Sequence, residues 1–434
     1  MEPSQSPPED KADSPVAKKA EESKSDNSKK RLVSLDAYRG LIMVTLAFGG
    51  FGIAKTASLQ LQENPDSWFW SVLKYQSSHV EWVGCGYWDL IQPSFMFMVG
   101  LSMAYSYLKR QRTGHSYRRM LSHAITRSFI LIFLGIFLNT RGDFTNWLMT
   151  NVLTQMGLGY TFLFLLWQRT LRTQAIATGS ILLFTWLMFV LYPNSGLEIE
   201  QGAPEVGVPT VWSQEHLQGI DPSWHKNANV AHDFDTWFLN LLPHRAIFTG
   251  EGSDQEKEPF VANLGGYQTL NFIPSLATML FGLMCGELLR SKRSGDEKLK
   301  ILIAAGVGGL VFGWLLNATG ICPLVKRIWT PSWALFSTGW CCLILAALYW
   351  IIDIRQYRRW AFPLVVVGMN SIAIYCMEMV LKPWMGNTLK IHLGDHLFLI
   401  GGKMYEPMVQ ATLIGLGFWV ICWWMYRQKI FVRI

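Results

Sequence analysis

The segment MLSHAITRSFILIFLGIFLN, residues 120–139, is a run of apolar side chains interrupted by few polar ones. A helix of this length, at ~1.5 Å per residue, extends about 30 Å, which is the thickness of the hydrocarbon core of a bilayer. Only helices and closed barrels pair all of their backbone polar groups in that environment. The segment therefore predicts a membrane-spanning helix.

Similar apolar blocks recur along the chain of 434 residues, in which 50% of the residues are hydrophobic and only 16% are charged. The sequence predicts an all-α, polytopic membrane protein: a bundle of about ten transmembrane helices in contact with lipid. The predicted spans lie near residues 33–54, 88–108, 120–139, 148–167, 174–192, 270–289, 299–317, 333–352, 361–383 and 406–426.

The chain divides into four parts. Residues 1–30 are rich in Ser, Pro, Lys and Glu and cannot bury enough apolar area to fold, so they are predicted to be a disordered tail. They lack the apolar core of a secretory signal, so the first span is expected to be retained as an anchor. Residues 31–192 form a first helical half, residues 193–269 a long loop, and residues 270–434 a second helical half.

Lys and Arg residues predict the orientation of the chain. They cluster in alternate short connections, at 109–119, 167–174, 288–298 and 353–359. The positive-inside rule places these connections in the cytoplasm together with both termini, and the 193–269 loop outside. In a bacterial cell the membrane would be the inner (cytoplasmic) one. The formal net charge of +7 is thus a topology signal and not an indication of nucleic-acid binding.

The 193–269 loop predicts an ordered extracytoplasmic cap. It carries eleven acidic and three basic residues and contains Trp224 and Trp237. Structureless loops of this length are uncommon unless they are functional or disordered, and the aromatic content argues against disorder. The Trp side chains could bind the flat faces of a sugar acceptor, or could pack the cap against the bundle. The histidines of this loop lack the regular spacing of a zinc site, so no metal is predicted.

The seven cysteines are scattered along the chain without metal-like spacing. Cys85 and Cys322 both lie in predicted outside loops and could pair.

Several polar residues lie in or at the ends of predicted spans, where a charge costs roughly 2.5–3.5 kcal/mol on insertion scales. Asp36 and Arg39 share one helix face, Arg127 lies about a third of the way into a span, and Asn370 is in mid-span. Asp36 and Arg39 could form an internal ion pair, and Asn370 could form an interhelical hydrogen bond. They could also line a path for an anionic substrate from the cytoplasm, with Arg118 or Lys326 as further basic candidates.

The stretch HVEWVGCGYWDLIQPSFMFMVG, residues 79–100, places His79 and Asp89 directly before an apolar helix, with Trp82 between them. A histidine in a loop could be an ordinary surface residue, because its charge state alone proves nothing. A catalytic imidazole, however, needs a partner that fixes its tautomer. We therefore expect Asp89 to hold His79 or a loop amide, and Asn271 or Asn370 to lie in the same cavity.

This stretch closely resembles the heparan-α-glucosaminide N-acetyltransferase family, a group of transmembrane acyltransferases, in the pattern H-x-x-W-x-G-x-x-x-x-D-L-I-x-P-x-F-x-F-x-x-G. The resemblance continues in RLVSLDAYRG, WFLNLLP, GGYQTLNFIPSLATMLFGL, PLVKRIWTPSWALFSTGW and RRWAFPLVVVGMNSIAIY, and thus covers nearly all of the chain from residue 31. The chain looks most similar to the bacterial branch, a domain of unknown function.

The resemblance implies an enzyme that takes acetyl from cytoplasmic acetyl-CoA and delivers it to an amino sugar or glycan outside. It implies His79 as the base or acetyl carrier, with Asp89 beside it. Donor contacts are then expected from Asp36, Arg39, Arg127 and Asn370, and acceptor contacts from Trp82, Asn271, Trp224 and Trp237. A homodimer is possible.

The chain departs from the family pattern at two places where the family has Asn: Val83, and the segment FGGFG at residues 48–52. These departures leave the acceptor open. One alternative is O-acetylation of a surface glycan. The other is a transporter for a sugar or organic anion, in which the buried Arg and Asn residues line a pore.

Overall fold

The computed structural model describes residues 32–141, 144–194, 196–243, 246–247, 256–257 and 259–432. The predicted disordered tail, residues 1–30, lies outside these ranges. The regular secondary structure of the described residues is helical apart from two-residue strands and isolated bridges, so the predicted all-α class is confirmed.

The first half contains seven helices in the described residues. They are α1 (Val33–Ala47), α2 (Ile53–Glu63), α3 (Trp68–Ser77), α4 (Ile91–Arg112), α5 (Tyr117–Asn139), α6 (Val152–Leu166) and α7 (Leu171–Val190). The segment 193–269 adds α8 (Thr210–His216), α9 (Val230–Leu239) and the antiparallel strands β1 (Ala246–Ile247) and β2 (Glu256–Lys257).

The second half begins with a short 3-10 turn, Thr269–Asn271, and is helical to its end. Its helices are α10 (Phe272–Arg290), α11 (Gly295–Ala318), α12 (Pro331–Leu348), α13 (Phe362–Gly368), α14 (Ser371–Leu393), α15 (Asp395–Phe398) and α16 (Glu406–Arg427).

Length and composition support six membrane-spanning helices in the described chain, or up to eight if each of two bent helix pairs is one span. The predicted count of about ten is therefore not confirmed. The two predicted spans that fall short are α4, which ends in the charged run KRQR, and α6, which is only 15 residues long. Both bury many of their side chains against neighbouring helices. The helix α4 therefore fails by its composition, whereas α6 is apolar and fails by its length alone.

Reciprocal glycine contacts bring two pairs of helices into backbone contact. A Cβ built on Gly100 of α4 would lie 1.8 Å from the Met279 carbonyl oxygen of α10, and one on Gly282 of α10 would lie 1.9 Å from that of Phe97. Gly40 of α1 and Gly368 of α13 make the same kind of pair. Small residues at such contacts let membrane helices pack by van der Waals contact, since lipid offers little hydrophobic driving force.

Both bent pairs break at identifiable residues. The helices α1 and α2 are bent by 45° at the turn Gly49–Gly52, where Gly50 has φ 59° and Gly52 has φ 68°. Glycine adopts this left-handed conformation without the steric cost that a Cβ imposes. The helices α13 and α14 are bent by 67° at Asn370.

The described part of the segment 193–269 shares a small apolar core with connections at one end of the bundle. Trp224 and Leu217 of the segment contact Trp82 from the α3–α4 connection and Val325 from the α11–α12 connection. These connections therefore meet at the same end of the bundle as His79. All seven cysteines are free, so the pairing considered for Cys85 and Cys322 is not present.

Candidate active site

The loop between α3 and α4 is folded around the carboxylate of Asp89. One carboxylate oxygen, Oδ2, accepts hydrogen bonds from the backbone N–H groups of Val80 and Gly86, each at 3.2 Å. Gly84 N donates to the carbonyl of Leu324 at 2.9 Å, which joins the loop to the α11–α12 connection. Asp89 is buried, and its backbone contacts fix the carboxylate in place.

The second carboxylate oxygen of Asp89 meets an imidazole and an ammonium. His79 Nδ1 lies 2.7 Å from Asp89 Oδ1. Lys326 Nζ lies 3.2 Å from that same oxygen and 3.0 Å from His79 Nδ1. The side chains of Asp89 and Lys326 are buried, whereas 42% of the His79 side chain is accessible. The three residues thus form a buried ion pair with an imidazole open on one side.

The donors and acceptors around His79 assign its tautomer. An ammonium offers only donors and an ionised carboxylate only acceptors, so Nδ1 cannot donate to Asp89 and accept from Lys326 at once. The shorter contact favours an Nδ1–H that donates to Asp89, while Lys326 donates to the same carboxylate. Nε2 is then the unprotonated nitrogen of a neutral ring, available as a base or nucleophile.

The surroundings keep the His79 ring neutral. Burial lowers the pKa of His79 below its ordinary value of 6.5, and the charges of Lys326 and Arg327 lower it further. The hydrogen bond to Asp89 opposes these effects without cancelling them. A lowered pKa means that the ring is deprotonated at neutral pH, which is the state a general base requires.

Arg327 connects the site to the segment 193–269. Its guanidinium donates to the carbonyls of Gly265 at 2.7 Å and Val80 at 3.4 Å, and pairs with Glu81 at 3.5 Å. The Tyr267 ring lies 5.8 Å from Lys326 Nζ and 5.7 Å from the Arg327 guanidinium carbon. The segment therefore contributes an aromatic wall next to the buried ion pair.

The turn at Gly49–Gly52 lies close to the other side of His79. The ring of Trp88 is 6.3 Å from the His79 ring, centroid to centroid. A Cβ on Gly50 would lie 3.0 Å from Trp88. The break between α1 and α2 thus packs directly behind a tryptophan of the site.

The residues expected to contact the acceptor are not gathered on one open surface. Trp82 and Trp224 are both buried, and Trp82 Nε1 donates to the Trp224 carbonyl at 3.1 Å. These two indoles pack the segment onto the bundle and expose no face to an acceptor. Asn271 donates to the carbonyl of Arg327 at 2.8 Å, close to the His79 site. Trp237 is 61% exposed and contacts Phe234.

The residues expected to contact the donor occupy separate places. Arg39 pairs with Asp36 at 3.4 Å and contacts Ser102. Arg127 donates to the hydroxyl of Tyr160 at 2.9 Å and lies 4.6 Å from the centre of its ring. Arg127 thus joins α5 to α6, whereas the Asp36–Arg39 pair lies on α1 and contacts α4 through Ser102.

The side chain of Asn370 forms hydrogen bonds with the backbone of residues that follow α16. Its amide nitrogen donates to the carbonyl of Ile430 at 3.1 Å, and its oxygen accepts from Val432 N at 3.1 Å. Asn370 is completely buried. The side chain therefore fastens the residues after α16 to the bend between α13 and α14, and it does not reach the His79 site.

The sequence predicts Lys326 only as a basic residue on the donor path, and it does not predict Arg327 or Tyr267 as residues of the His79 site. Lys326 and Arg327 reach His79 from the α11–α12 connection, with Lys326 247 residues away in the chain, and Tyr267 comes from the segment 193–269. The available signal was the motif PLVKRIWTP, whose two basic residues lie in a predicted outside loop where few basic residues are expected.

Comparisons with known proteins relate the chain to acyltransferases. A family model described as an acyltransferase domain matches residues 223–427. Heparan-alpha-glucosaminide N-acetyltransferase of Mus musculus is 22% identical over 94% of this chain and 61% of its own length. The protein of that name from Homo sapiens is 23% identical over 93% of this chain and 60% of its own. The chain thus spans about three fifths of these relatives. The comparisons confirm the resemblance at family level and support a multi-pass membrane acyltransferase.

Proposed function

We propose that this chain, an acyltransferase related to the heparan-α-glucosaminide N-acetyltransferases, transfers acetyl from cytoplasmic acetyl-CoA to an amino sugar or glycan on the other side of the membrane. CoA is polyanionic and cannot cross lipid, and a polar glycan cannot enter from outside. A bundle with a basic end and a histidine at the opposite end allows the two substrates to meet. The 2.7 Å contact between His79 Nδ1 and Asp89 is the observation that carries the proposal.

In direct transfer, the amine nitrogen of the acceptor attacks the carbonyl carbon of the thioester. The new C–N bond forms, the C–S bond breaks, His79 Nε2 takes the proton of the amine, and the CoA thiolate is then protonated from the imidazolium. Asp89 stabilises the imidazolium while it exists, as carboxylate partners of catalytic histidines do. In a two-step transfer, Nε2 would carry the acetyl group itself before the acceptor arrives. Both routes use the same nitrogen.

The test is transfer of labelled acetyl from acetyl-CoA by the purified protein in lipid. The acceptor panel contains amino sugars and, as matched controls, the same sugars with a hydroxyl in place of the amine. Label on the amino sugars alone supports N-acetylation. Label on the hydroxyl sugars would move the proposal to O-acetylation. A protein that carries a sugar or organic anion across a vesicle membrane without acetylating it would overturn the enzyme assignment.

Replacing Lys326 should shift the acidic limb of the pH–activity profile. A base must be neutral, so activity should fall as pH drops through the His79 pKa, which lies below 6.5. Lys326→Met removes a positive charge 3.0 Å from the ring, which raises that pKa. The acidic limb of kcat/KM is therefore expected to move to higher pH. Lys382→Met is the control, since Lys382 pairs with Glu378 and is not among the charges that act on His79. A limb that stays in place in Lys326→Met would contradict the assignment of His79 as the titrating base.

Arg39 is expected to bind a donor phosphate at the end of the bundle opposite His79. Guanidinium groups match phosphate oxygens in a bidentate manner. A hydrogen bond to a charged group contributes about 1.5–3 kcal/mol, so Arg39→Gln should raise KM for acetyl-CoA by roughly ten- to a hundredfold. The exposed Arg172 of α7 provides the matched control, Arg172→Gln. An unchanged KM in a folded Arg39→Gln protein would remove Arg39 from the donor site.

A further inference from the structure

A groove of about 620 Å³ lies between α5 and α14, remote from the candidate active site. Phe133, Phe137 and Arg141 line it from α5 and the residues that follow, and Met379 and Pro383 line it from α14. Arg141 is the one charged side chain among the described residues that line the groove. The groove is therefore mainly apolar with a single cation.

Pro383 explains why the arginine is held there. Proline has no backbone N–H, so within α14 the carbonyl of Met379 loses the partner it would have four residues later. Arg141 Nη2 lies 3.5 Å from that carbonyl oxygen and donates to it. A guanidinium has five N–H donors, and this contact uses one of them. The Met379 carbonyl left without a helical partner thus anchors Arg141 at the groove, and Arg141 keeps further donors.

The groove opens on the lipid-facing side of the bundle. The helix α5 is one of the six candidate spans, and only 33% of its most apolar window is buried inside the protein. Phe133 is 60% exposed and Phe137 is 70% exposed. Phe133 and Phe137 lie four residues apart on one face of α5, and Arg141 follows two residues after the end of that helix. An apolar wall therefore leads to a cation just beyond the end of the span.

We infer that this groove binds an anionic phospholipid of the surrounding membrane. One acyl chain lies along Phe133 and Phe137, and the phosphate of the headgroup accepts hydrogen bonds from Arg141. The complementarity is twofold: hydrocarbon meets the aromatic wall at the depth of the acyl chains, and the guanidinium of Arg141 meets a phosphate near the headgroups. The inference does not depend on the proposed acetyl transfer.

The experiment measures lipid retention on the full-length purified protein by native mass spectrometry. Phosphatidylglycerol and phosphatidylcholine with the same acyl chains are the probes, so the hydrocarbon is held constant while the net charge of the headgroup changes. A basic residue near a membrane surface contributes about 1 kcal/mol with anionic lipid, so we expect about a fivefold preference for phosphatidylglycerol. Arg141→Gln should abolish the preference while phosphatidylcholine retention stays the same. Arg169→Gln, an exposed arginine outside the groove, should leave the preference intact.

A second variant tests the groove itself. Val380→Trp fills the groove and should reduce retention of both lipids, whereas Val311→Trp, at a similarly exposed valine of α11, should not. Equal retention of the two lipids by the unaltered protein would overturn the inference. So would displacement of phosphatidylglycerol by a lower concentration of a polyprenyl phosphate, because the occupant would then be a different amphiphile.

Discussion

Replacing His79 with alanine is expected to lower the rate of acetyl transfer by about 10²–10⁴-fold, which is the usual contribution of a general base. The bundle should remain folded, because His79 lies in a loop outside the helices and 42% of its side chain is accessible. Turnover of labelled acetyl-CoA with a confirmed acceptor measures the loss, and thermal unfolding of the purified protein measures the fold. Label that stays on the unaltered protein when acceptor is withheld, and is absent from His79→Ala, would identify the acetyl-carrier route.

The matched control is His392→Ala, at an exposed histidine of α14 that makes no contact with Asp89. It should leave both turnover and stability unchanged. Near-normal turnover in His79→Ala would end the catalytic assignment, and the contacts of His79 with Asp89 and Lys326 would then be structural.

Replacing Asp89 with alanine should have the largest effect on stability. The carboxylate pairs with buried Lys326 and accepts two backbone N–H groups that hold the loop before α4. Removing one partner of a buried ion pair leaves the other charge without compensation, which costs about 3–5 kcal/mol. The free energy of unfolding of Asp89→Ala should fall by that amount, and its turnover should fall as well because the His79 tautomer is no longer fixed.

The double variant Asp89→Ala/Lys326→Met separates charge from packing. It removes the ion pair as a whole, so it should recover part of the stability lost in Asp89→Ala without recovering turnover. Asp66→Ala, at an exposed acid between α2 and α3, should change neither quantity. A double variant no more stable than the single one would mean that the backbone contacts of Asp89, and not its charge, dominate the loop.

The contact between His79 and Asp89 could be predicted from sequence because the two residues are only ten positions apart in one loop. An imidazole and a carboxylate so close to a helix start have few other partners within reach. Lys326 could not be placed in the same way, since it reaches them from the α11–α12 connection. Basic residues in loops are ordinary, and only the packing of that connection onto the α3–α4 loop gives this one a role.

Hydropathy predicted that helices span a membrane, but it did not fix their number. It does not fix where a helix ends: α6 is apolar but only 15 residues long, and α4 runs on into a charged segment. Residue type does not fix the role of a single side chain either. Trp82 and Trp224 are of a type that often binds sugars, yet both are buried where the segment 193–269 meets the bundle. Asn370 is predicted as a polar residue in mid-span, yet its side chain binds the backbone of Ile430 and Val432.

The sequence by itself determined the helical membrane class and the local pairing of His79 with Asp89, because hydropathy and short loops act over neighbouring residues. Only the tertiary structure decided which distant groups complete the site and which polar residues are consumed by packing. It also decided that Pro383 frees a carbonyl that holds Arg141 at the lipid-facing groove. The physical reason is that a hydrogen bond or an ion pair needs atoms within about 3–4 Å, and for residues hundreds of positions apart helix packing alone sets that distance.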